Sequence, residues 1–170
     1  VPLHAAEHFY IVSEPSEGVH DKPPTLRDPG GYTYYREEVG AILAGFFEPV
    51  AKPWGMKGIP ADFEYGTLKE DWQHLDPVFD VMAKRMPVLE TAGLHTFFNG
   101  PEAFTPDDAY HLGESPELKN FYVAAGFNSI GIQSSGGAGK VLAEWVVNGY
   151  APIDLWDVDI RRNQPFQGTQ

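Results

Sequence analysis

One stretch narrows the possible folds more than any other: FYVAAGFNSIGIQSSGGAGKVLAEWVVNG, residues 121–149. An apolar run ends in a glycine-rich loop, and the loop opens into an amphipathic helix. Proteins often hold a phosphate or cofactor this way, because the first amides of a helix are unpaired and lie at its positive end. Two familiar versions do not fit. A P-loop has four residues between its first glycine and a Gly-Lys-Ser/Thr end, whereas Lys140 is followed by Val141 and the magnesium-binding hydroxyl is missing. A dinucleotide fingerprint stands at the first strand-helix turn of a Rossmann unit, with an acidic residue about 20 positions on; neither context exists here. The residues alone leave two readings open. The glycines let a helix pack tightly against its sheet, or free N–H groups at residues 136–139 stabilise negative charge on a cofactor. The helix is expected over 137–148, with Ser134 or Ser135 as cap and Gly149 beyond its end. Ala138, Val141, Leu142, Trp145 and Val146 form its inner face.

Upstream, strand patterns outnumber helices. HFYIVS (8–13) is a buried strand, and YTYYRE (32–37) and AILAGFFE (41–48) read as a hairpin turning at 38–40. Within the first of these, alternation sends one of Tyr34 and Tyr35 inward. The polar segment 14–31 and the proline-broken segment 49–62 read as loops. EDWQHLDPVFDVMAKRMP (70–87) places Trp72, Leu75, Phe79, Met82 and Met86 on one helical face, with Pro77 either kinking the helix or starting a second one. LHTFFNG (94–100) and FYVAAGF (121–127) are strands on either side of a turn-rich segment. Hairpin connections in the first half make the fold class α+β with an antiparallel sheet.

The 170 residues make one domain or two small lobes sharing a core. A formal net charge of −12, with twelve scattered Lys and Arg, argues against a nucleic-acid surface. No apolar run approaches bilayer-spanning length, and no membrane partner is expected. The absence of cysteine excludes disulfides, thiolate metal sites and a cysteine nucleophile. The start VPLHAAEHFYIV, apolar and without Met, reads as a chain cut from something longer. Of the six histidines, His4 and His8 have helical spacing but adjoin a strand pattern, and His20, His74, His95 and His111 sit in unrelated contexts, so no metal is expected. Thr105–Pro106–Asp107 fits ordinary turn chemistry, Asp107–Asp108 a solvated turn, and no Ser-His-Asp arrangement is recognisable.

Six stretches, in order, resemble the flavin-dependent dimethylglycine and sarcosine dehydrogenase family of the D-amino-acid-oxidase-like flavoproteins. They are VPLHAAEHFYIVSE, LRDPGGYTYYREEVGAILAGFFEP, FNGPEAFTPD, HLGESPELKNFYVAAGFNSIG, SSGGAGKVLAEWVVNG and DLWDVDIRR, covering nearly the whole chain. The resemblance implies an antiparallel-sheet substrate domain over 1–98, the returning strand-helix segment of a Rossmann-like FAD domain over 99–162, and a tail over 163–170. The N-terminal FAD-binding half with its GxGxxG fingerprint would be the missing partner. Any residue carrying a covalent flavin, and a further folate-binding domain, would also lie outside this chain.

Residue by residue, the resemblance implies that His8 lies near the flavin and that Tyr34 faces the substrate. They would orient a small amine, favour its neutral form, and so promote hydride transfer from an N-methyl C–H to FAD. Thr105, Pro106 and Asp107 match a turn beside the flavin. Phe127, Asn128, Ser129, Ile130, Gly131 and Ile132 match a loop along its ring. A helix opening at Gly136 and Gly137 would point its positive end at the reduced ring. A carboxylate-binding lysine of simpler sarcosine oxidases corresponds to about Gln133, which leaves the substrate's carboxylate without an assigned partner. The implied function is a fragment of an FAD-dependent amine oxidoreductase, inactive by itself. It would be cytoplasmic in a bacterium and in the mitochondrial matrix in a eukaryote. The alternatives are a related flavoenzyme with a different amine or hydroxy-acid substrate, and a non-catalytic binding or scaffold module.

Overall fold

A computed structural model describes residues 1–20 and 22–164. Residues 7–101 form one compact unit, and residues 1–6 with those from 102 onward form another.

In the first unit, aromatic and β-branched runs give the strands of an antiparallel sheet, the α+β architecture expected. Strands β1 (His4–Ser13), β2 (Leu26–Asp28), β3 (Thr33–Glu38), β4 (Ala41–Phe46) and β5 (Leu94–Phe104) are ordered β2-β3-β4-β1-β5. The register sets Arg27 opposite Tyr34, and both Tyr34 and Tyr10 opposite Gly45. Because side chains alternate along a strand, this register sorts the sheet into two faces. One is core: Phe9, Ile11, Tyr35, Ile42, Ala44 and Phe46 pack with Leu75 and Met82 of helix α1 (Trp72–Arg85) and with Leu89. Tyr35 is the inward tyrosine; its hydroxyl donates to Thr33 Oγ1 at 2.9 Å.

Asp71 caps α1 by accepting from the His74 amide at 3.0 Å, and Lys84 and Arg85 suit its negative end. Pro77 lies inside one continuous helix and starts no second one. Trp72 is 48% exposed, so the inner stripe begins at Leu75; the Trp72 indole N–H instead donates to Glu70 at 2.9 Å. β2 falls within the segment expected to be loop. An edge strand pairs on one side only, so its sequence needs little of the apolar pattern that marks a central one. Beneath β1 and β5 lies a polar knot. The buried Glu7 carboxylate accepts from Asn99 Nδ2 at 2.8 Å, and Lys52 Nζ is 3.3 Å from Glu7 and 2.7 Å from Asp71.

In the second unit, β6 (His111–Glu114) and β7 (Tyr122–Ala125) pair antiparallel. Helix α2 (Gly131–Asn148) lays Ala138 and Trp145 on Leu112 and Leu155, with Val141 and Leu142 alongside. Val146, expected inward, is 54% exposed. The helix begins six residues earlier than the sequence suggested: Ile130 is its N-cap, and the Ser134 amide already bonds to the Ile130 carbonyl at 3.0 Å. Each internal glycine costs a helix about 1 kcal/mol relative to alanine. Burial of Ala138 and Trp145 in the same helix offsets that cost. A Cβ added at Gly136, Gly137 or Gly139 meets nothing within 4 Å, so tight packing among the described residues does not explain these glycines. Gly149 closes the helix in the left-handed conformation, as expected. A short 3-10 turn, Ile160–Arg162, follows. Of the expected tail over 163–170, residues 165–170 lie outside the described residues. Among the described residues, no helix is long and apolar enough to cross a membrane.

Candidate functional site

The second face of the five-stranded sheet carries the chemistry of the first unit. Phe47, one residue past β4, extends the pairing by donating its amide to the Tyr32 carbonyl at 2.7 Å. Its ring is a hub. The His8 ring lies 5.1 Å from it, the Tyr34 ring 5.6 Å, and the Arg27 guanidinium 5.1 Å from its centroid. On the same face, Tyr10 stacks on Phe98 at 4.7 Å and 12°. The end of the Tyr34 ring lies over Gly45: a Cβ there would stand 2.1 Å from Tyr34 Cζ and 2.2 Å from its hydroxyl oxygen. A hydroxyl, an imidazole and a guanidinium are thus gathered over an aromatic floor. This set can orient a small polar molecule and hold a proton; it contains no strong nucleophile.

His8 and Tyr34 were expected at such a place, whereas Gly45, Phe47 and Arg27 were not. A glycine inside the apolar run AILAGFF was the available signal, since glycine within a strand often marks a close approach.

In the second unit, the structure joins two of the segments the sequence singled out. The Thr105 amide donates to Asn128 Oδ1 at 2.9 Å, and Asn128 Nδ2 donates to Thr105 Oγ1 at 3.0 Å, both residues being buried. Asn128 and Ser129 have φ of +49° and +63°, a conformation that costs non-glycine residues about 1–3 kcal/mol each. Thr105 restrains the first of them. The carboxylate of Glu102, which sequence reasoning missed, restrains the second by accepting from the Ser129 amide at 2.6 Å and from its hydroxyl. Phe127 stacks on Tyr110 at 4.7 Å, and its carbonyl accepts from the Ile130 amide at 2.9 Å.

This bend delivers the chain into α2, whose N-terminus has no side-chain cap and no acidic residue in its first turn. The open donors belong to Gly131, Ile132 and Gln133, and Ile132 is 98% exposed. Gly136 and Gly137 lie in the second turn, where their amides serve the helix's own ladder. The expectation that they open the helix is therefore corrected, and the positive end sits one turn earlier.

Asp107 has a different employment from its neighbours. Arg162 grips its carboxylate with Nε at 2.7 Å and Nη2 at 3.0 Å, which holds the Asp107 carboxyl down at about 2. Arg162 also donates to the Tyr110 and Ala109 carbonyls, so the pair closes the turn after the exposed Pro106. Beside it, the fully buried His111 donates from Nε2 to the Pro2 carbonyl at 3.0 Å, and burial pushes its pKa down. Among the described residues, no three His, Cys, Asp or Glu side chains gather as metal ligands would.

Residues 1–145 match the family described as FAD dependent oxidoreductase. The chain is 41% identical, over its full length, to mouse "Pyruvate dehydrogenase phosphatase regulatory subunit, mitochondrial" and to "4-methylaminobutanoate oxidase (formaldehyde-forming)" of Paenarthrobacter nicotinovorans. It is 38% identical over 95% of its length to mouse "Sarcosine dehydrogenase, mitochondrial". It spans only 17–20% of the length of these relatives. Among solved structures, L-proline dehydrogenase from P. horikoshii superposes with a TM-score of 0.74, at 21% identity, over 100% of this chain and 42% of that one.

Proposed function

The chain belongs to the FAD-dependent oxidoreductase family, and from that premise we propose that it serves within a longer flavoprotein that oxidises the N-methyl C–H of dimethylglycine or sarcosine. The observation that carries the reading is that His8 and Tyr34 flank one aromatic ring on a single sheet face, within reach of one small molecule. FAD, when bound, supplies the hydride acceptor. The chain's own residues do the rest. Loss of hydride needs the nitrogen lone pair, so His8 and Tyr34 hold the amine deprotonated and oriented.

The donor chemistry of the second unit suits a flavin. A helix end with no side-chain cap and no acid in its own first turn favours an electron-rich group, and the bend at Asn128–Ser129, restrained by Thr105 and Glu102, fixes where its amides point. In this reading Thr105, Pro106 and Asp107 shape the adjoining turn, and Phe127–Ile132 run along the ring. The nucleotide-binding half, any covalent flavin link and any folate domain belong to the longer protein. That protein would work in the mitochondrial matrix of a eukaryote or the cytoplasm of a bacterium.

The test is anaerobic addition of N-methylglycine or N,N-dimethylglycine to the purified full-length protein. Bleaching of the oxidised flavin band is expected, and a protein that binds no flavin sinks the reading. One finding favours a second reading, a non-catalytic binding or scaffold module: the 41% identity to a relative named as a regulatory subunit. A flavin that binds but is reduced by no amine would select it.

A further inference from the structure

The proposed substrates are amino acids, so the site must hold a carboxylate as well as an amine. A carboxylate is best bound by a planar, permanently charged fork with no other partner. On the sheet face that carries His8 and Tyr34, two arginines are candidates. Arg36 is engaged by Glu38. Arg27 sits opposite Tyr34 in the β2–β3 register, and its guanidinium lies over the Phe47 ring that also touches His8 and Tyr34. The adjacent acid, Asp28, is taken by Arg85 at 2.7 Å and by the Gly31 amide at 3.2 Å. Among the described residues, no carboxylate lies within salt-bridge distance of Arg27.

Resting on the amine-oxidoreductase reading above, we propose that Arg27 binds the substrate carboxylate and makes the site specific for N-methylated amino acids over neutral amines. The geometry has a physical logic. Contact with the Phe47 ring restrains the guanidinium, so less side-chain freedom is lost when the carboxylate docks. The position on edge strand β2 leaves the fork open to an incoming ligand. Because amine-facing and acid-facing groups share one ring as support, the site measures the spacing between the two ends of the substrate.

The experiment compares Arg27→Gln and Arg27→Lys with wild type in the full-length holoprotein. The probes are N-methylglycine and its neutral amide, N-methylglycinamide, assayed by flavin reduction. In Arg27→Gln the preference for acid over amide, read as the ratio of kcat/KM values, should fall about 100-fold. Arg27→Lys should recover part of it, about tenfold, as a point charge lacks the fork. An unchanged ratio in Arg27→Gln overturns the proposal while leaving the amine-oxidation reading intact. If neither these probes nor N,N-dimethylglycine reduces the wild-type flavin, that reading has failed, and calorimetric titration with methoxyacetate still decides Arg27. Binding by wild type and not by Arg27→Gln supports it; equal binding, or none to either, overturns it.

Discussion

On the sheet of residues 7–101 the candidate chemistry rests on side chains: an imidazole, a phenol and a guanidinium around Phe47, all sorted to one face by strand alternation. In the unit from residue 102 onward it rests on backbone, namely the open amides of α2 and a bend through two left-handed residues. The two kinds of site fail differently. Side-chain geometry is destroyed by a collision on the face, whereas backbone geometry is destroyed by removing whatever restrains it. The first should cost turnover and spare flavin; the second should loosen flavin and spare the substrate's apparent affinity.

The largest effect is expected at Gly45. Even alanine would place a Cβ 2.1 Å from Tyr34 Cζ, so the ring must leave its seat on β4. In the full-length protein, Gly45→Ala should lower kcat/KM for N-methylglycine by at least about 100-fold, equivalent to about 2.7 kcal/mol of transition-state stabilisation. The flavin content, measured by absorbance per protein, should stay at the wild-type level, and overpacking should cost about 1–3 kcal/mol of stability. Retained turnover would show that the seating of Tyr34 is not what the sheet face is for.

The same contrast decides how much was legible in the sequence. Alternation in YTYYRE separates Tyr35 from Tyr34 because the two faces of a strand differ in burial, and that period is visible in one dimension. The three-and-four spacing of α1 and of Ala138, Val141, Leu142 and Trp145 was visible for the same reason. The start of α2 was not. Glycine and serine read as loop by propensity, yet packing of Ala138 and Trp145 extends the helix back to Gly131. Glu102 was hidden because its partner Ser129 lies 27 residues away, and Arg162 because Asp107 lies 55 away. Contacts of that range leave no local pattern. Arg27 was hidden in a polar stretch that only its pairing with β3 turns into a strand.

A smaller effect is expected at Glu102. Replacing it by alanine removes both hydrogen bonds to Ser129 and leaves the positive φ of Asn128 and Ser129 held from one side only. Reconstitution of the full-length apoprotein with FAD should show about tenfold weaker binding, about 1.4 kcal/mol. KM for N-methylglycine should change less than twofold. A reversed pattern, with flavin binding kept and KM raised, would mean that the bend serves the substrate, and the distinction between the two units would collapse.

The smallest effect concerns acid stability and belongs to the second unit. His111 is fully buried, and burial holds its pKa below the ordinary histidine value, with the nearby Arg162 charge acting in the same direction; the Pro2 carbonyl and Asp107 oppose them. A depressed value means that the folded chain binds fewer protons than the unfolded chain. The stabilisation is therefore complete above about pH 6.5 and is lost as pH falls below it, with a slope no steeper than about 1.4 kcal/mol per pH unit. Asp107, held down to about 2 by Arg162, adds a second loss only at lower pH, between its ordinary value near 3.8 and about 2. Thermal denaturation of the full-length protein between pH 7.5 and 5 should show the first slope. His111→Gln, which keeps a donor for the Pro2 carbonyl, should flatten it. Loss of flavin at the same pH in wild type, but not in the variant, would tie the packing around His111 to the backbone-built site; flavin that stays bound while stability falls would separate them.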